Sequence, residues 1–351
     1  MLVDVPGLPV QLAAAPAGAP HVAVIVPARN EAHQIEPCLR SLLSQEWPNL
    51  TVVCVDDRSE DGTFEVASAI GDPRLRVVRG RELPPRWLGK NWANAQGVEQ
   101  AGDASWLLFT DADTVHSPAA LPSAYAAAVR SRASLYTLFT RLDCRTFWEK
   151  LLLRATIASV VQLFPLRKVN DPRSKVAIAN GQFLLMPRAD YQAVGGHAAI
   201  FDRVADDMEL ARLVKGSGRV LRAEDGRALV SVRMYTSLRE IWWGFVKNVS
   251  VGVGGPALTS LGIAASLFSL LPFAALPFVR GPLLAIAAGA CACALVQRAI
   301  LLRRLFGAKV SWALLLPVTQ LFMAGIAAHS TLRQLSGKGP LWKGRAYPDA
   351  R

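Results

Sequence analysis

The chain has 351 residues, 52% of them hydrophobic, and a mean hydropathy of +0.26. That length allows one large domain or two, and that hydropathy excludes an ordinary soluble protein. The net charge of +12 admits a nucleic acid, a membrane surface or an anionic substrate as partner. No nucleic-acid module is visible, and the basic residues gather beside apolar segments (Arg298, Arg303, Arg304, Lys309, then Arg333, Lys338, Lys343, Arg345), which favours anionic lipid headgroups.

Residues 1–20, rich in Ala and broken by Pro6, Pro9, Pro16 and Pro20, read as a flexible N-terminal arm without the basic start of a signal peptide. Val22–Val26 is a β-branched run ended by Pro27-Ala28-Arg29-Asn30-Glu31, and Ile35, Leu39, Leu42 and Leu43 then share one helical face. A second strand, Thr51–Val55, ends in Asp56-Asp57; Leu75–Val78 is a third and Trp106–Thr110 a fourth. Strands alternating with helices imply βαβ units and a mostly parallel sheet, whose carboxyl edge is where ligands bind. Three strand ends therefore deliver Asn30/Glu31, Asp56/Asp57 and Asp111/Asp113 to one edge. Two carboxylates one residue apart suit a hard divalent cation that also holds a diphosphate. The same Asp111-Ala112-Asp113 triplet could equally cap the following helix.

Arg145–Phe164 places Trp148, Leu151, Leu152 and Ala155 on one helical face, as either an interfacial helix at the membrane surface or a core helix. Asn180–Met186 reads as a strand, and Gly195-Gly196-His197 as a loop that lets a ligand approach the backbone. Asp206-Asp207-Met208-Glu209 opens a helix with acidic residues at its positive end, which capping alone would explain. Three long apolar runs follow: Ala257–Val279 and Val310–Ser330 carry no charge and Pro282–Leu302 only Arg298, so each can span about 30 Å of hydrocarbon as a helix. The five cysteines show no metal-binding spacing and fit reduced thiols.

Seven separated stretches match one family. They are VIVPARNE (Val24–Glu31), VDDRSEDGT (Val55–Thr63), GKNWANAQG (Gly89–Gly97), TDADT (Thr110–Thr114), NGQFLLMPRADYQAVGGH (Asn180–His197), ADDMEL (Ala205–Leu210) and REIWWG (Arg239–Gly244). In this order they resemble the membrane-attached, family 2 inverting glycosyltransferases of the GT-A fold. Ceramide glucosyltransferase, cellulose synthase and bacterial hopanoid- and carotenoid-associated glycosyltransferases belong to that family. The resemblance implies an α/β catalytic domain with a Rossmann-like, mostly parallel sheet over residues 21–250, including the possible interfacial helix at 145–164. About three transmembrane helices at 255–332 and a basic tail at 333–351 would follow.

Carried over, the family pattern makes Pro27, Glu31, Asp56, Asp57, Lys90 and Asp111 contacts of the nucleotide sugar, with the early carboxylates at base and ribose and Lys90 near the diphosphate. It makes Asp113 the ligand of Mg²⁺ or Mn²⁺ and Asp207 the catalytic base. Gly196, His197, Asp206, Arg239, Trp242 and Trp243 become acceptor or sugar contacts. In the lipid- and polysaccharide-forming members a [Q/R]-x-x-R-W pattern is frequent; here Trp242 replaces the second Arg, so a guanidinium is missing. The resemblance implies a nucleotide-sugar donor, a UDP-sugar ahead of a GDP-sugar, a lipid acceptor, and a multi-pass cytoplasmic-membrane protein with its catalytic domain facing the cytosol. A polyprenyl-phosphate acceptor, a catalytically silent subunit that binds nucleotide sugar, and a nucleotidyltransferase are the competing readings; the last is disfavoured because PARNE lacks a Gly-rich phosphate loop. Three crossings would put the basic tail outside, against the positive-inside tendency, unless Pro272/Pro277 or Pro317 breaks a segment.

Overall fold

The computed structural model describes residues 10–336, 341–342 and 345–346. In chain order the strands and helices are β1 (Val22–Ala28), α1 (Ile35–Leu43), β2 (Leu50–Asp56), α2 (Thr63–Ser68), β3 (Leu75–Arg79), α3 (Gly89–Glu99), β4 (Trp106–Phe109), β5 (Thr114–His116), α4 (Ala120–Ser131), β6 (Leu135–Phe139) and β7 (Arg141–Leu142). A π-helical turn (Glu149–Leu153) leads into α5 (Arg154–Leu163), followed by α6 (Leu166–Asn170), β8 (Leu184–Pro187), α7 (Arg188–Ala193), α8 (Asp206–Gly216), β9 (Leu221–Asp225) and β10 (Val230–Val232). Then come α9 (Leu238–Val253), α10 (Pro256–Phe268), α11 (Leu271–Ala275), α12 (Gly281–Phe306) and α13 (Leu316–Leu335).

The chain divides into two units. The first, residues 10–143 and 164–234, is built on a seven-stranded sheet in the order β3-β2-β1-β4-β8-β6-β9. β3, β2, β1 and β4 run parallel, and β8 is antiparallel to both its neighbours. β1 is central and covered on both faces, which is why VAVIVPA is an apolar run rather than an alternation. Val24, Val26, Leu39, Leu42, Val52, Leu121, Tyr136 and Phe183 share one core cluster, while Val53, Val55 and Ala93 form another. α3 lies so close to β1 that a Cβ on Gly97 would fall 2.4 Å from Ile25 Cγ2. A smaller sheet, β5-β10-β7, is assembled from strands of two or three residues.

Two expectations change in this unit. The strand predicted over Asn180–Met186 begins only at Leu184, because Gly181 and Gln182 form a turn instead. The arm expected at residues 1–20 is packed from Val10 onward: Val10 is buried and its N–H donates to Asp225 O at 3.4 Å, and Ala13 N–H donates to Ser123 Oγ at 3.1 Å. Residues 1–9 of that arm lie outside the described residues.

The second unit comprises residues 144–163 together with the chain from Tyr235 on. The Arg145–Phe164 helix and the stretch 235–250, both expected within the catalytic domain, thus group with the apolar helices. Trp148 packs on Phe322 at 5.1 Å between ring centroids, Phe147 on Trp312 at 5.5 Å, and Ala158 and Val161 cluster with Leu301 and Leu305. Among the described residues three segments are long and apolar enough to cross a membrane: Pro256–Ala275, Gly281–Phe306 and Val310–Leu335. Proline marks two irregularities. The first segment is interrupted between α10 and α11, where Pro272 opens the new helix, and Pro317 opens α13 after a 3₁₀ turn (Val310–Leu315). α13 runs to Leu335, so Arg333 belongs to its last turn rather than to the expected tail, most of which lies outside the described residues.

Candidate functional site

The sheet order places β1 between β2 and β4, where the strand order reverses, and the crevice at the carboxyl ends of such strands is a ligand site in open α/β sheets. β1 pairs with β2 as far as Ala28 and Asp56, but with β4 only as far as Ile25 and Phe109. Pro27 stands beyond that last β1–β4 pair. The loops after β1 and β2 are laced together: Asn30 N–H donates to Ser59 Oγ at 3.0 Å, Glu31 N–H to Thr63 Oγ1 at 2.8 Å, and the buried Arg29 guanidinium to Asp57 O at 2.6 Å and Arg58 O at 3.0 Å. Asn30 (φ 52°) and Arg58 (φ 57°) take left-handed conformations to make these turns. Asp56 and Asp57 are both buried there; Asp56 Oδ2 accepts from Ser59 N–H at 3.3 Å, while Oδ1 has no hydrogen-bond partner among the described residues.

β4 ends in Thr110-Asp111-Ala112-Asp113, and a buried hydroxyl cluster holds that turn. Thr114 Oγ1 donates to Asp111 O at 2.8 Å, Thr110 Oγ1 lies 3.0 Å from Thr114 Oγ1, and His116 Nε2 lies 3.1 and 3.0 Å from the two hydroxyls. Burial pushes the His116 imidazole down to about 3, so it serves as a neutral brace.

Lys90, in the first turn of α3, joins the two acidic clusters. Its Nζ is 2.8 Å from Asp111 Oδ1 and 3.3 Å from Asp206 Oδ2. Burial opposes its charge, but Asp111, Asp206 and Asp207 outweigh burial and hold its pKa well above the usual lysine value. Asp207, at the start of α8, accepts from Gly181 N–H at 3.0 Å through Oδ2 and from Met208 N–H at 2.7 Å through Oδ1. Burial and then the adjacent Asp206 charge raise it to about 6. Gly181 was not singled out by sequence, yet a Cβ there would meet Lys90 Nζ at 3.0 Å, Asp207 Oδ2 at 3.4 Å and Asp111 Oδ2 at 3.7 Å. Its absence keeps open the space shared by the three groups; glycine in a turn between acidic stations was the available signal.

Burial, then the charges of Asp111 and Glu31, push the Asp113 carboxyl up to about 8, and its buried Oδ1 has no hydrogen-bond partner among the described residues. No group of three or more His, Cys, Asp or Glu side chains that could hold a metal ion occurs among the described residues. This donor set fits a hard divalent ion held by one carboxylate and completed by substrate phosphates and water, the usual manner of Mg²⁺.

The remaining expected contacts are placed differently. His197 is fully buried, with Nε2 3.1 Å from Asn94 Nδ2 and Nδ1 3.0 Å from Tyr191 OH. Gly196, at φ 52°, lies under the Tyr191 ring, which a Cβ would approach to 2.3 Å. Both are buried, packed positions in the structure. Asp206, expected at the sugar, is buried and ion-paired to Lys90. Arg239, Trp242 and Trp243 lie on α9 in the second unit, where Trp242 Nε1 donates to His329 Nδ1 at 3.0 Å.

The family described as Glycosyl transferase family 2 matches residues 23–194. The 4,4'-diaponeurosporenoate glycosyltransferase of Staphylococcus aureus (strain USA300) is 27% identical over 237 residues, covering 66% of this chain. The chain thus spans only 61% of the length of that relative. Among solved structures, mannosyltransferase PcManGT from Pyrobaculum calidifontis, in complex with GDP-Man and Mn²⁺, superposes with a TM-score of 0.53 at 20% identity, covering 92% of this chain and 90% of that one. The shared fold is GT-A.

Proposed function

We propose that this chain, which belongs to glycosyl transferase family 2, moves a sugar from a nucleoside-diphosphate donor to an amphiphilic acceptor at a membrane, inverting the anomeric carbon. The observation that carries the reading is the meeting of Asp111, Lys90, Asp206 and Asp207 around the space kept by Gly181.

Asp207 takes the proton of the acceptor hydroxyl. At pH 7 a carboxyl raised to about 6 is mostly ionised and is a stronger base than an ordinary aspartate. The Gly181 and Met208 N–H groups fix its two oxygens, so the base is oriented before substrate arrives. Lys90 supplies positive charge to the departing diphosphate and Asp111 holds Lys90 in place. Asp113 would hold Mg²⁺ or Mn²⁺, which when bound neutralises charge on the diphosphate leaving group. One base and one direct displacement produce inversion. Asp56 Oδ1, a single unpartnered acceptor, suits the one imide N–H of uracil better than the two-donor edge of guanine, favouring a UDP-sugar. The three apolar helices support a multi-pass protein of the cytoplasmic membrane with its catalytic unit in the cytosol, where nucleotide sugars are made.

A second reading comes from the relative's name, which denotes an acid. A carboxylate acceptor is already ionised, would form a glycosyl ester, and would need no base. Incubating the purified full chain with a panel of nucleotide sugars and amphiphilic alcohols or acids, and following nucleoside diphosphate release, tests both. Asp207→Asn should bind nucleotide yet lose about 10²–10⁴-fold in rate with an alcohol acceptor. Near-normal turnover of Asp207→Asn with alcohols rejects the base; wild-type turnover with acids and not with alcohols selects the second reading.

A further inference from the structure

The small β5-β10-β7 sheet takes no direct part in the chemistry, yet it delivers one buried side chain to the carboxyl end of β4. His116 of β5 pairs with Val230 of β10, and its backbone N–H donates to Ser41 Oγ at 3.1 Å, so the chain is fixed there from two sides. The imidazole Nε2 meets both threonine hydroxyls that flank the acidic triplet. Thr114 Oγ1 donates to Asp111 O inside the triplet, and Thr110 Oγ1 donates to Gln182 O at 2.8 Å, in the turn that carries Gly181. Carbonyl oxygens can only accept, so each hydroxyl has used its one hydrogen. The nitrogen shared by the two hydroxyls must then be the donor: the neutral imidazole carries its hydrogen on Nε2 and gives it to Thr110 and Thr114. In the opposite tautomer one of the two carbonyls would lose its donor, among side chains that are all buried.

The result is a chain of hydrogen bonds with a carboxylate station at each end. From Asp111 it passes through Thr114, His116 and Thr110 to Gln182, whose neighbour Gly181 donates its N–H to Asp207 Oδ2 at 3.0 Å. The Gly181 turn is braced from its other side as well: Gln182 Oε1 accepts from Thr140 Oγ1, and Thr137 Oγ1 accepts from Asn180 N–H at 2.9 Å. Direct displacement needs the attacking oxygen, the anomeric carbon and the departing oxygen aligned, and a misplacement of about 1 Å costs about 10²-fold. We propose that His116 is a positioning residue which, through Thr110 and Thr114, sets the separation between the diphosphate station at Asp111 and Asp113 and the base Asp207. This role rests on the sugar-transfer reading above and gives the two threonines separable tasks. Thr114 places the triplet, and with it the donor end; Thr110 places the Gly181 turn, and with it the base.

The test uses the full chain in detergent. For each variant it measures kcat and KM for nucleoside diphosphate release with long-chain alcohols as acceptors, calorimetric Mn²⁺ affinity in the presence of UDP, and thermal unfolding. Gln can bring an amide N–H to the place of Nε2, Asn only to the place of Nδ1, and Leu brings none. His116→Gln should therefore keep kcat within about threefold, while His116→Asn and His116→Leu should each lose about 10–100-fold. Thr110→Val should lower kcat and leave Mn²⁺ affinity unchanged, whereas Thr114→Val should weaken Mn²⁺ binding about tenfold. Nitrogen NMR of isotope-labelled histidine, assigned by the signal missing from His116→Gln, should show the Nε2–H tautomer. The Nδ1–H tautomer, equal rates in the folded Gln, Asn and Leu variants of His116, or a wild-type rate in folded Thr110→Val overturns the positioning role, as does lower thermal stability with kcat and Mn²⁺ affinity intact. A wild type that neither releases diphosphate from any nucleotide sugar nor binds Mn²⁺ with UDP rejects the sugar-transfer reading itself, and the positioning role with it.

Discussion

Replacing Asp207 by Asn should reveal how much stability the site gives up. Asp207 stands at about 6 in the folded protein against an ordinary value of 3.8, because burial and Asp206 disfavour its charge. A carboxyl whose folded pKa is raised makes the folded state bind more protons than the unfolded state between those two values. Stability therefore falls as pH rises through that window, and the deficit is fully present above about pH 6. Its size is about 3 kcal/mol, from roughly two pH units at 1.36 kcal/mol each. Asparagine cannot ionise, so it escapes this deficit; it also loses one of the two hydrogen bonds accepted from Gly181 and Met208, a loss that does not vary with pH. Thermal unfolding of wild type and Asp207→Asn is compared from pH 4 to pH 8. The variant's stability relative to wild type should rise by about 2–3 kcal/mol across that range, or about 5 °C or more in melting temperature. A constant difference, or one that moves in wild type's favour with rising pH, would refute the crowding of Asp207 by Asp206 and burial.

Lys90→Met removes a charge that lowers the pKa of Asp207 and Asp206→Asn one that raises it, so the rising limb of kcat/KM against pH should move up by about one pH unit in the first and down in the second; a limb unmoved in both would exclude Asp207 as the titrating group. Gly97→Ala should cost about 1–3 kcal/mol in thermal unfolding, since its Cβ would fall 2.4 Å from Ile25 Cγ2 and α3 would have to lift from β1. Calorimetric titration of Mn²⁺ in the presence of UDP should lose at least about tenfold in affinity in Asp113→Asn, and unchanged affinity there would remove Asp113 as the ligand.

The parallel strands β1 to β4 were legible because they are short apolar runs, three of them ending in polar clusters; Lys90, Asp206 and Asp207 reach Asp111 from the first turns of α3 and α8, which strand patterning alone does not show. The β5-β10-β7 sheet was not legible: strands of two or three residues are made by pairing with distant partners and have no period of their own. Gly181 escaped because its contribution is a backbone N–H and an absent side chain. The packing around Gly196 and His197 was hidden for a related reason. A glycine pair before a histidine reads as room for a ligand, but the room at Gly196 is filled by Tyr191, whose hydroxyl also engages His197. The grouping of α9 with the apolar helices was not legible, because α9 carries charged residues in its first turn and so reads as soluble, whereas its tryptophans pack on α13.

From sequence alone, helix and turn capping explained the Asp111-Ala112-Asp113 triplet and the Asp206-Asp207 pair as well as catalysis did. Asp61 shows what a capping aspartate looks like in this fold. Burial works against its charge, yet Thr63 and Ala32 surround its oxygens with donors and hold its carboxyl below the ordinary range. Asp113 and Asp207 go the other way, to about 8 and about 6, the first with an oxygen that lacks any partner among the described residues and the second despite two backbone N–H groups and the nearby Lys90. Capping lowers a carboxylate's pKa because the donors favour its charged form, so capping alone does not account for the raised carboxyls of these two residues. Acidic groups crowded until ionisation is costly, and left short of donors, gain from the arrival of positive charge or of a proton. A cation accompanying a diphosphate at Asp113 and an acceptor hydroxyl at Asp207 would bring one to each.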